Sequence, residues 1–195
     1  MSFDLHNYIF IKDNAMPEEV VKKFLKFCKF DLNLTPGALV GKKNSWKDNT
    51  VNKNVRDVKT HILKNLGTKS LTEVHWANYL SFVFTNGIKD YLKIHSIDGP
   101  FRLMDIQILK YQKGGHYMFH VDHGTAISRT FSCIFLVNEN YEGGDLIFKY
   151  PGSNQTSTVE KKQNRLIVWP SNFLFPHMVT PVIEGERYSV VAWAL

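Results

Sequence analysis

The feature that most restricts the fold is an abrupt change of texture at Asp98-Gly99-Pro100. Beyond it come "FRLMDIQILKY", "RTFSCIFLVN", "DLIFKY", "RLIVWP", "HMVTPV" and "RYSVVAWAL", short runs rich in β-branched and aromatic residues and bounded by Gly, Pro, Asn and Ser. Such runs read as strands, because branched side chains suit a pleated, half-buried surface and the punctuating residues make turns. Several in succession point to a β-sandwich or barrel.

The residues before this boundary read mostly as helix. In "MPEEVVKKFLKFCKF", Pro17, Glu18 and Glu19 suit a first helical turn, where an N–H is dispensable and acidic charge meets the positive end of the dipole. Val20, Val21, Phe24, Leu25 and Cys28 then recur at helical spacing. "VRDVKTHILKNL" sets Val55, Val58, Ile62, Leu63 and Leu66 on one side and predicts a short amphipathic helix. Ser70, three residues ahead of Glu73, forms a capping-box pattern for a helix through "VHWANYLSFVF". Whether that helix passes Asn86-Gly87 stays open at this stage. The segment "DLNLTPGALVGKKNSWKDNT", residues 31–50, is turn-rich and long enough to suggest a lid over a substrate. The 195 residues suit a single α+β domain, with 1–100 mainly helical support and 101–195 a β core.

Bulk composition excludes several classes. With 44% hydrophobic and 13% aromatic residues the chain is globular, not disordered. No apolar run approaches the roughly 18–20 residues of a membrane span. "MSFDLHNYIFIKDN" lacks the basic and apolar regions of a secretory leader. Cys28 and Cys133 lie far apart and fit reduced thiols, so a cytoplasmic setting, in a bacterium or a phage-infected host, is expected. Most of the net charge of +6 sits in the first hundred residues, with 15 Lys+Arg against 10 Asp+Glu, compared with 9 against 8 afterwards. It reads as solvated lysine faces, with phosphates or an acidic partner as the alternative.

Chemistry concentrates in "GGHYMFHVDHG", which holds His116, His120, Asp122 and His123. Strand residues two apart share a face, so His120 and Asp122 project together and His123 points away. His116, four residues before His120, sits about 13 Å along the strand and needs a bend to join them. A third ligand must come from elsewhere. His6, His61, His75 and His95 lie in the helical half without a carboxylate at ligand spacing, whereas His177 opens a β segment. Two histidines and a carboxylate with open positions suit non-haem Fe(II), and zinc with water could also accept them. Ten residues after His177, Arg187 stands among apolar residues in "GERYSVVAWAL". Its guanidinium offers a fork for the far carboxylate of a dicarboxylic co-substrate chelated to the metal.

These residues resemble the Fe(II)/2-oxoglutarate-dependent dioxygenases, in particular the prolyl 4-hydroxylase-like branch. The likeness runs from about Met104 to Leu195 through "YQKGGHYMFHVD", "RTFSCIFLVNENYEGGDLIF" and "WPSNFLFPHMVTPVIEGERYSVVAW". "YEGGDLIF" and "HMVTPVIEGERY" look especially like the bacterial PKHD-type hydroxylases and small phage-encoded relatives. The resemblance implies a double-stranded β-helix (jelly-roll) core with supporting N-terminal helices. It implies that His120, Asp122 and His177 bind Fe(II), that Arg187 binds the C5 carboxylate of 2-oxoglutarate, and that Tyr111 hydrogen-bonds this co-substrate. Tyr117 and Trp193 match aromatic positions on the substrate side. Where oxygen-sensing relatives carry a second tyrosine, this chain offers Phe135 and Leu136, so a hydroxyl such as Thr180 or Ser189 is expected to assist Arg187.

The implied activity is O2-dependent hydroxylation coupled to conversion of 2-oxoglutarate to succinate and CO2, with L-ascorbate expected by family habit. A prolyl residue in a peptide or protein is the leading expected substrate. Free proline or another small molecule, and demethylation of nucleic acid, are the alternatives. The nucleic-acid demethylases carry a second Arg shortly after the co-substrate Arg, and "RYSVVAWAL" has none. Oligomeric state leaves no mark in the sequence.

Overall fold

The β-branched and aromatic runs beyond residue 100 are strands in the computed structural model, which describes residues 4–30, 32–38, 51–64, 66–124 and 128–195. After a 3-10 turn, Leu5–Tyr8, the elements are β1 (Phe10–Asp13), α1 (Glu18–Phe30), β2 (Thr35–Pro36), β3 (Arg56–Asp57), β4 (Lys59–Leu63) and α2 (Leu71–Ile94). The later strands are β5 (Leu103–Tyr111), β6 (His116–His120), β7 (Phe131–Leu136), β8 (Tyr141–Gly143), β9 (Leu146–Lys149), β10 (Thr156–Val159), β11 (Arg165–Pro170), β12 (His177–Val179), β13 (Val182–Gly185) and β14 (Arg187–Ala194).

They form a seven-stranded sheet in the order β1-β11-β7-β14-β5-β4-β2 and a five-stranded sheet in the order β10-β9-β12-β6-β3, with β13 paired to β8. From β5 onward the chain crosses repeatedly between the two sheets: β5, β7, β11 and β14 belong to the larger, β6, β9 and β12 to the smaller. That winding is the jelly roll, and with α1 and α2 it makes the α+β architecture.

Strand alternation gives the larger sheet two different faces. Ile106, Ile108, Phe135, Leu166, Val168, Val190 and Ala192 pack on one side against Phe24 and Cys28 of α1 and Trp76, Leu80, Phe84 and Ile88 of α2. Ile134, Leu136, Ile167 and Trp169 point the other way and meet Leu146, Phe148 and Val159 of the smaller sheet. Each fully buried side chain of this size contributes about 1.5–3 kcal/mol, so both interfaces hold the sheet in place.

α2 continues through Asn86-Gly87. Gly87 lies where the helix presses on β11, and a Cβ there would collide with the Leu166 side chain. At the start of α2, Ser70 Oγ accepts from Glu73 N at 3.2 Å, the first half of the expected capping box. The second half is absent, because the Glu73 carboxylate accepts instead from Thr68 Oγ1 at 3.0 Å and Lys64 N at 3.2 Å and meets His61 Nε2 at 3.1 Å.

The helix expected over 55–66 is a correction: that stretch forms β3 and β4. Its apolar stripe does not stay buried, since Ile62 and Leu66 are exposed. β4 instead pairs residue for residue with β5, from Lys59↔Lys110 to Leu63↔Ile106, and Val58, Thr60 and Ile62 are β-branched. Local spacing suited either form, and pairing with a neighbouring strand decided. Of the expected lid, residues 32–38 are described and include β2, which pairs with β4. The remainder of 31–50 lies outside the described residues. Among the described residues no helix is long and apolar enough to cross a membrane.

Candidate metal centre

His120 ends β6, and Asp122 follows one residue beyond Val121, so both side chains point into the gap between the sheets. His177 opens β12, whose backbone pairs directly with His120 on one side and Phe148 on the other. Strand pairing therefore joins two residues 57 positions apart in sequence. One ligand atom from each of His120, Asp122 and His177 lies within 4.8 Å of the other two. His120 Nε2 is 3.7 Å from Asp122 Oδ1, and His177 Nε2 is 3.5 Å from Asp122 Oδ2. Bonds of about 2.0–2.2 Å to one ion suit donors at such separations.

Both imidazoles are oriented by the backbone. His120 Nδ1 lies 2.9 Å from the Met118 carbonyl and His177 Nδ1 3.0 Å from that of Phe175. A proton held on Nδ1 by a carbonyl leaves the Nε2 lone pair free to coordinate. Burial first, then the neighbouring His177, pushes the His120 pKa far down, so the ring is neutral at physiological pH. For Asp122 burial pushes upward, but the fields of His177 and His120, the Ser132 hydroxyl and the Arg129 guanidinium outweigh it and keep the carboxyl ionised. Two imidazoles whose Nδ1 atoms face backbone carbonyls, together with one carboxylate, form a donor set for a divalent cation.

The carboxylate itself is braced. Ser132 Oγ donates to Asp122 Oδ2 at 2.7 Å and shares a second 2.7 Å hydrogen bond with Ser171 Oγ. Arg129 Nη1 lies 3.7 Å from Asp122 Oδ1, and its guanidinium carbon sits 3.9 Å above the Trp193 ring. The sequence reading missed Ser132 and Arg129. The usable signal for Ser132 is a hydroxyl alternating with Ile134 and Leu136 on the inner face of β7.

The triad opens onto a cavity of about 300 Å³ whose walls include Tyr111, Tyr117, Trp169, Val179, Trp193 and Arg56. Tyr117 stacks on His120, with ring centroids 3.6 Å apart and planes 17° apart. Burial raises the Tyr117 phenol to about 12 and raises that of Tyr111 as well, so both stay protonated donors.

Arg187 starts β14 opposite Tyr111 of β5 and is fully buried. Its guanidinium carbon lies 5.0 Å from the Tyr111 ring centre. Nη1 donates to Ser189 Oγ at 2.7 Å, while Nε and Nη2 have no hydrogen-bond partner among the described residues. Gly144, at φ +61°, makes room for this side chain, because a Cβ there would stand 3.0 Å from Arg187 Cδ. Unsatisfied buried guanidinium N–H groups call for an anionic acceptor, and a ligand carboxylate fits.

Of the residues singled out in sequence, the structure thus gathers His120, Asp122, His177, Tyr111, Tyr117 and Trp193 around one cavity; Arg187 and Ser189 do not line it, and Arg187 meets it through Tyr111. It does not bring Thr180 there: that hydroxyl accepts from Asp145 N at 2.8 Å and belongs to the connection after β12. His123 is exposed, with Nδ1 2.8 Å from the Arg129 carbonyl, and His116 Nδ1 lies 3.0 Å from that of Gly114. Neither joins the triad.

Comparison with known proteins agrees with this geometry. Residues 106–195 match the 2OG-Fe(II) oxygenase superfamily. A PKHD-type hydroxylase of Synechococcus sp. (strain CC9605) is 28% identical over 122 residues, 58% of this chain and 54% of that protein. Another, from Hyphomonas neptunium, is 27% identical over 174 residues, 82% of this chain and 71% of that protein. The chain therefore spans about half the length of the first of these relatives and more of the second. Among solved structures, a Pseudomonas putida prolyl-4-hydroxylase superposes with TM-score 0.68 at 20% identity, covering 97% of this chain and 94% of that one. A Trichoplax adhaerens prolyl hydroxylase, in complex with a hypoxia inducible factor oxygen degradation domain peptide fragment, gives TM-score 0.74 at 18% identity over 97% and 84%. Likeness at those identities speaks to the fold. Residues 106–195 thus resemble the 2OG-Fe(II) oxygenase superfamily in sequence, and the chain as a whole resembles its members in fold.

Proposed function

We propose that this protein is an Fe(II)- and 2-oxoglutarate-dependent dioxygenase that hydroxylates an unactivated C–H bond, in a prolyl residue of a peptide or protein. The observation that carries the reading is a converging His-Asp-His set beside a buried arginine with two unsatisfied N–H-bearing nitrogens. His120, Asp122 and His177 hold the iron. Arg187, steadied by Ser189 and flanked by Tyr111, receives the distal carboxylate of 2-oxoglutarate. Leu136, packed in the inner core, has no hydroxyl to offer there, which leaves the anchoring to these three residues.

Bound at this site, Fe(II) with 2-oxoglutarate and O2 would supply the oxidant for C–H hydroxylation, with succinate and CO2 as co-products. The protein contributes placement and exclusion of water. Tyr117 and Trp193 form apolar walls beside the triad, suited to a pyrrolidine ring, while Phe148 and Trp169 close the rear of His177. A peptide substrate draws support from the prolyl hydroxylases among the structural neighbours, one of them described with a bound peptide fragment.

The test has two stages. Anaerobic Fe(II) protein titrated with 2-oxoglutarate is expected to develop a metal-to-ligand absorption band, and then to form succinate slowly in air. Absence of both, or binding of zinc alone, ends the dioxygenase reading. Mass spectrometry on a proline-containing peptide library, with free proline and methylated single-stranded DNA alongside, is expected to find +16 Da on proline in peptides. A hit confined to free proline or DNA replaces the substrate.

A further inference from the structure

The cavity mouth carries a second guanidinium that the proposed chemistry leaves unused. Arg56 lies on β3, the edge strand of the smaller sheet, where its backbone pairs with Tyr117 of β6. Its guanidinium carbon stands 4.8 Å from the Tyr117 ring centre, and that ring in turn stacks on His120. A guanidinium, a phenol and an imidazole are thus layered, and Arg56 stands one aromatic ring away from the triad along the cavity wall.

Charge accounting separates Arg56 from the other cations. On the proposed reading, Arg187 faces one carboxylate of 2-oxoglutarate, and the divalent metal is balanced by Asp122 and by the chelating end of the same dianion. Arg129 lies beside Asp122 and also feels the field of Asp105, another residue of the cavity wall. Arg56 has no such partner. Among the described residues no carboxylate oxygen comes within salt-bridge distance of it, and its one hydrogen bond runs from Nη1 to the Ala38 carbonyl at 2.9 Å. Its Nε is buried without an acceptor among the described residues. A half-buried cation in this condition bears a desolvation cost that an incoming anion would relieve.

We infer that Arg56 recognises a carboxylate on the substrate, so that the preferred substrate carries a negative charge close to the hydroxylated carbon. The inference rests on the dioxygenase reading and narrows it. The carboxylate has two sources, an Asp or Glu flanking the target residue in a peptide or the α-carboxylate of a free amino acid. A target carbon seated at the triad leaves the groups beside it along the wall that Tyr117 and Arg56 share. Arginine suits the role better than lysine, because its planar face keeps the Tyr117 contact while one edge pairs with the carboxylate.

The experiment uses full-length protein carrying Mn(II) and 2-oxoglutarate, so that binding is read without turnover. Two peptide pools with a central proline, one flanked by Glu and the other by Gln, are compared by fluorescence anisotropy, and free proline is compared with prolinamide by competition. The native protein is expected to favour the carboxylate member of at least one pair by about tenfold, with the preference shrinking as salt rises. Arg56→Gln should erase the preference, and Arg56→Lys, which keeps the charge should the first variant fold poorly, should retain part of it. Arg56→Glu should favour a Lys-flanked pool. Equal binding within both pairs, or a preference that survives Arg56→Gln, overturns the inference. Succinate formation by the Fe(II) protein, measured alongside, keeps the two readings apart: its absence sinks the dioxygenase assignment, whereas its presence without acid preference sinks this inference alone.

Discussion

Two arginines begin strands on either side of β7 and could hardly be treated more differently. Arg165 opens β11 opposite Leu136, and Arg187 opens β14 two residues before Ser189, which faces Leu136 from the other side. Both are buried. Arg165 is fully engaged: Nε and Nη2 donate to the two carboxylate oxygens of Asp13 at 2.7 and 3.2 Å, and Nη1 donates to the Glu160 carbonyl at 2.6 Å. Arg187 has a single serine hydroxyl. A buried cation satisfied within its own chain fastens the fold, here by tying β1 to β11. One left waiting is there for something else. On the proposed reading, the difference separates a structural arginine from a ligand-binding one.

The sharpest way to break this comparison is Arg187→Met, which keeps the length of the side chain and removes the charge. The 2-oxoglutarate concentration needed for half-saturation should rise on the order of 100-fold, the usual effect of deleting one partner of a buried charged pair. Metal binding, measured by Mn(II) titration, should persist. In the ligand-free protein the same change should leave stability unaltered or raise it by up to about 2 kcal/mol, because it removes an uncompensated buried charge. Thermal denaturation reads this directly. A marked loss of stability, or an unchanged 2-oxoglutarate requirement, would make Arg187 a second Arg165.

Arg165→Met should move stability in the opposite direction. It strips Asp13 of a bidentate partner and leaves the Glu160 carbonyl short of a donor. The cost is limited because Lys162 Nζ still reaches Asp13 at 2.9 Å and the Glu160 carboxylate is largely exposed. A loss of about 1–2 kcal/mol in chemical denaturation is expected, with no change in 2-oxoglutarate requirement. A shift in that requirement would show that the two arginines are coupled through β7.

The same contrast marks how far the sequence could be read. Strand period puts His120 and Asp122 on one face in the sequence, while His177 stands out by opening a β segment and Arg187 by its charge among apolar residues. Arg165 carries the same side chain, and nothing local tells the two apart; only the approach of β1 brings Asp13 to it. Ser132 and Arg56 were missed for a similar reason, since each acts on a residue that another strand supplies. Thr180 and Ser189 were equal candidates in sequence, and hydrogen bonding separated them: one is held by Asp145, the other by Arg187. Strands beyond residue 100 were legible because β-branched runs there have no helical reading. β3 and β4 were not, because Val58, Ile62 and Leu63 fit a helical stripe equally well and only pairing with β5 decides. Whether the helix passes Gly87 is open in the sequence, because its reason for being there is supplied by β11: it is the point where α2 meets Leu166.

The smallest effect expected is in acid, and it again distinguishes the two sites. Hydrogen bonds from Arg165 and then Lys162 hold the Asp13 carboxyl well below the usual carboxylate range. A folded-state pKa below the unfolded value contributes stability that is complete above the unfolded pKa, about 3.9 for Asp, and is lost as pH falls toward the folded value. Stability of the native protein should therefore decline as pH drops through about 4, and part of that slope should be missing in Asp13→Asn. Arg187 has no carboxylate partner in the chain among the described residues, so Arg187→Met should retain the native slope in the absence of 2-oxoglutarate. Urea denaturation of the three proteins at a series of pH values measures this. An Asp13→Asn variant with the full native slope would mean that the β1–β11 tie contributes nothing to acid sensitivity, and the contrast between a fastening arginine and a waiting one would then rest on Arg187 alone.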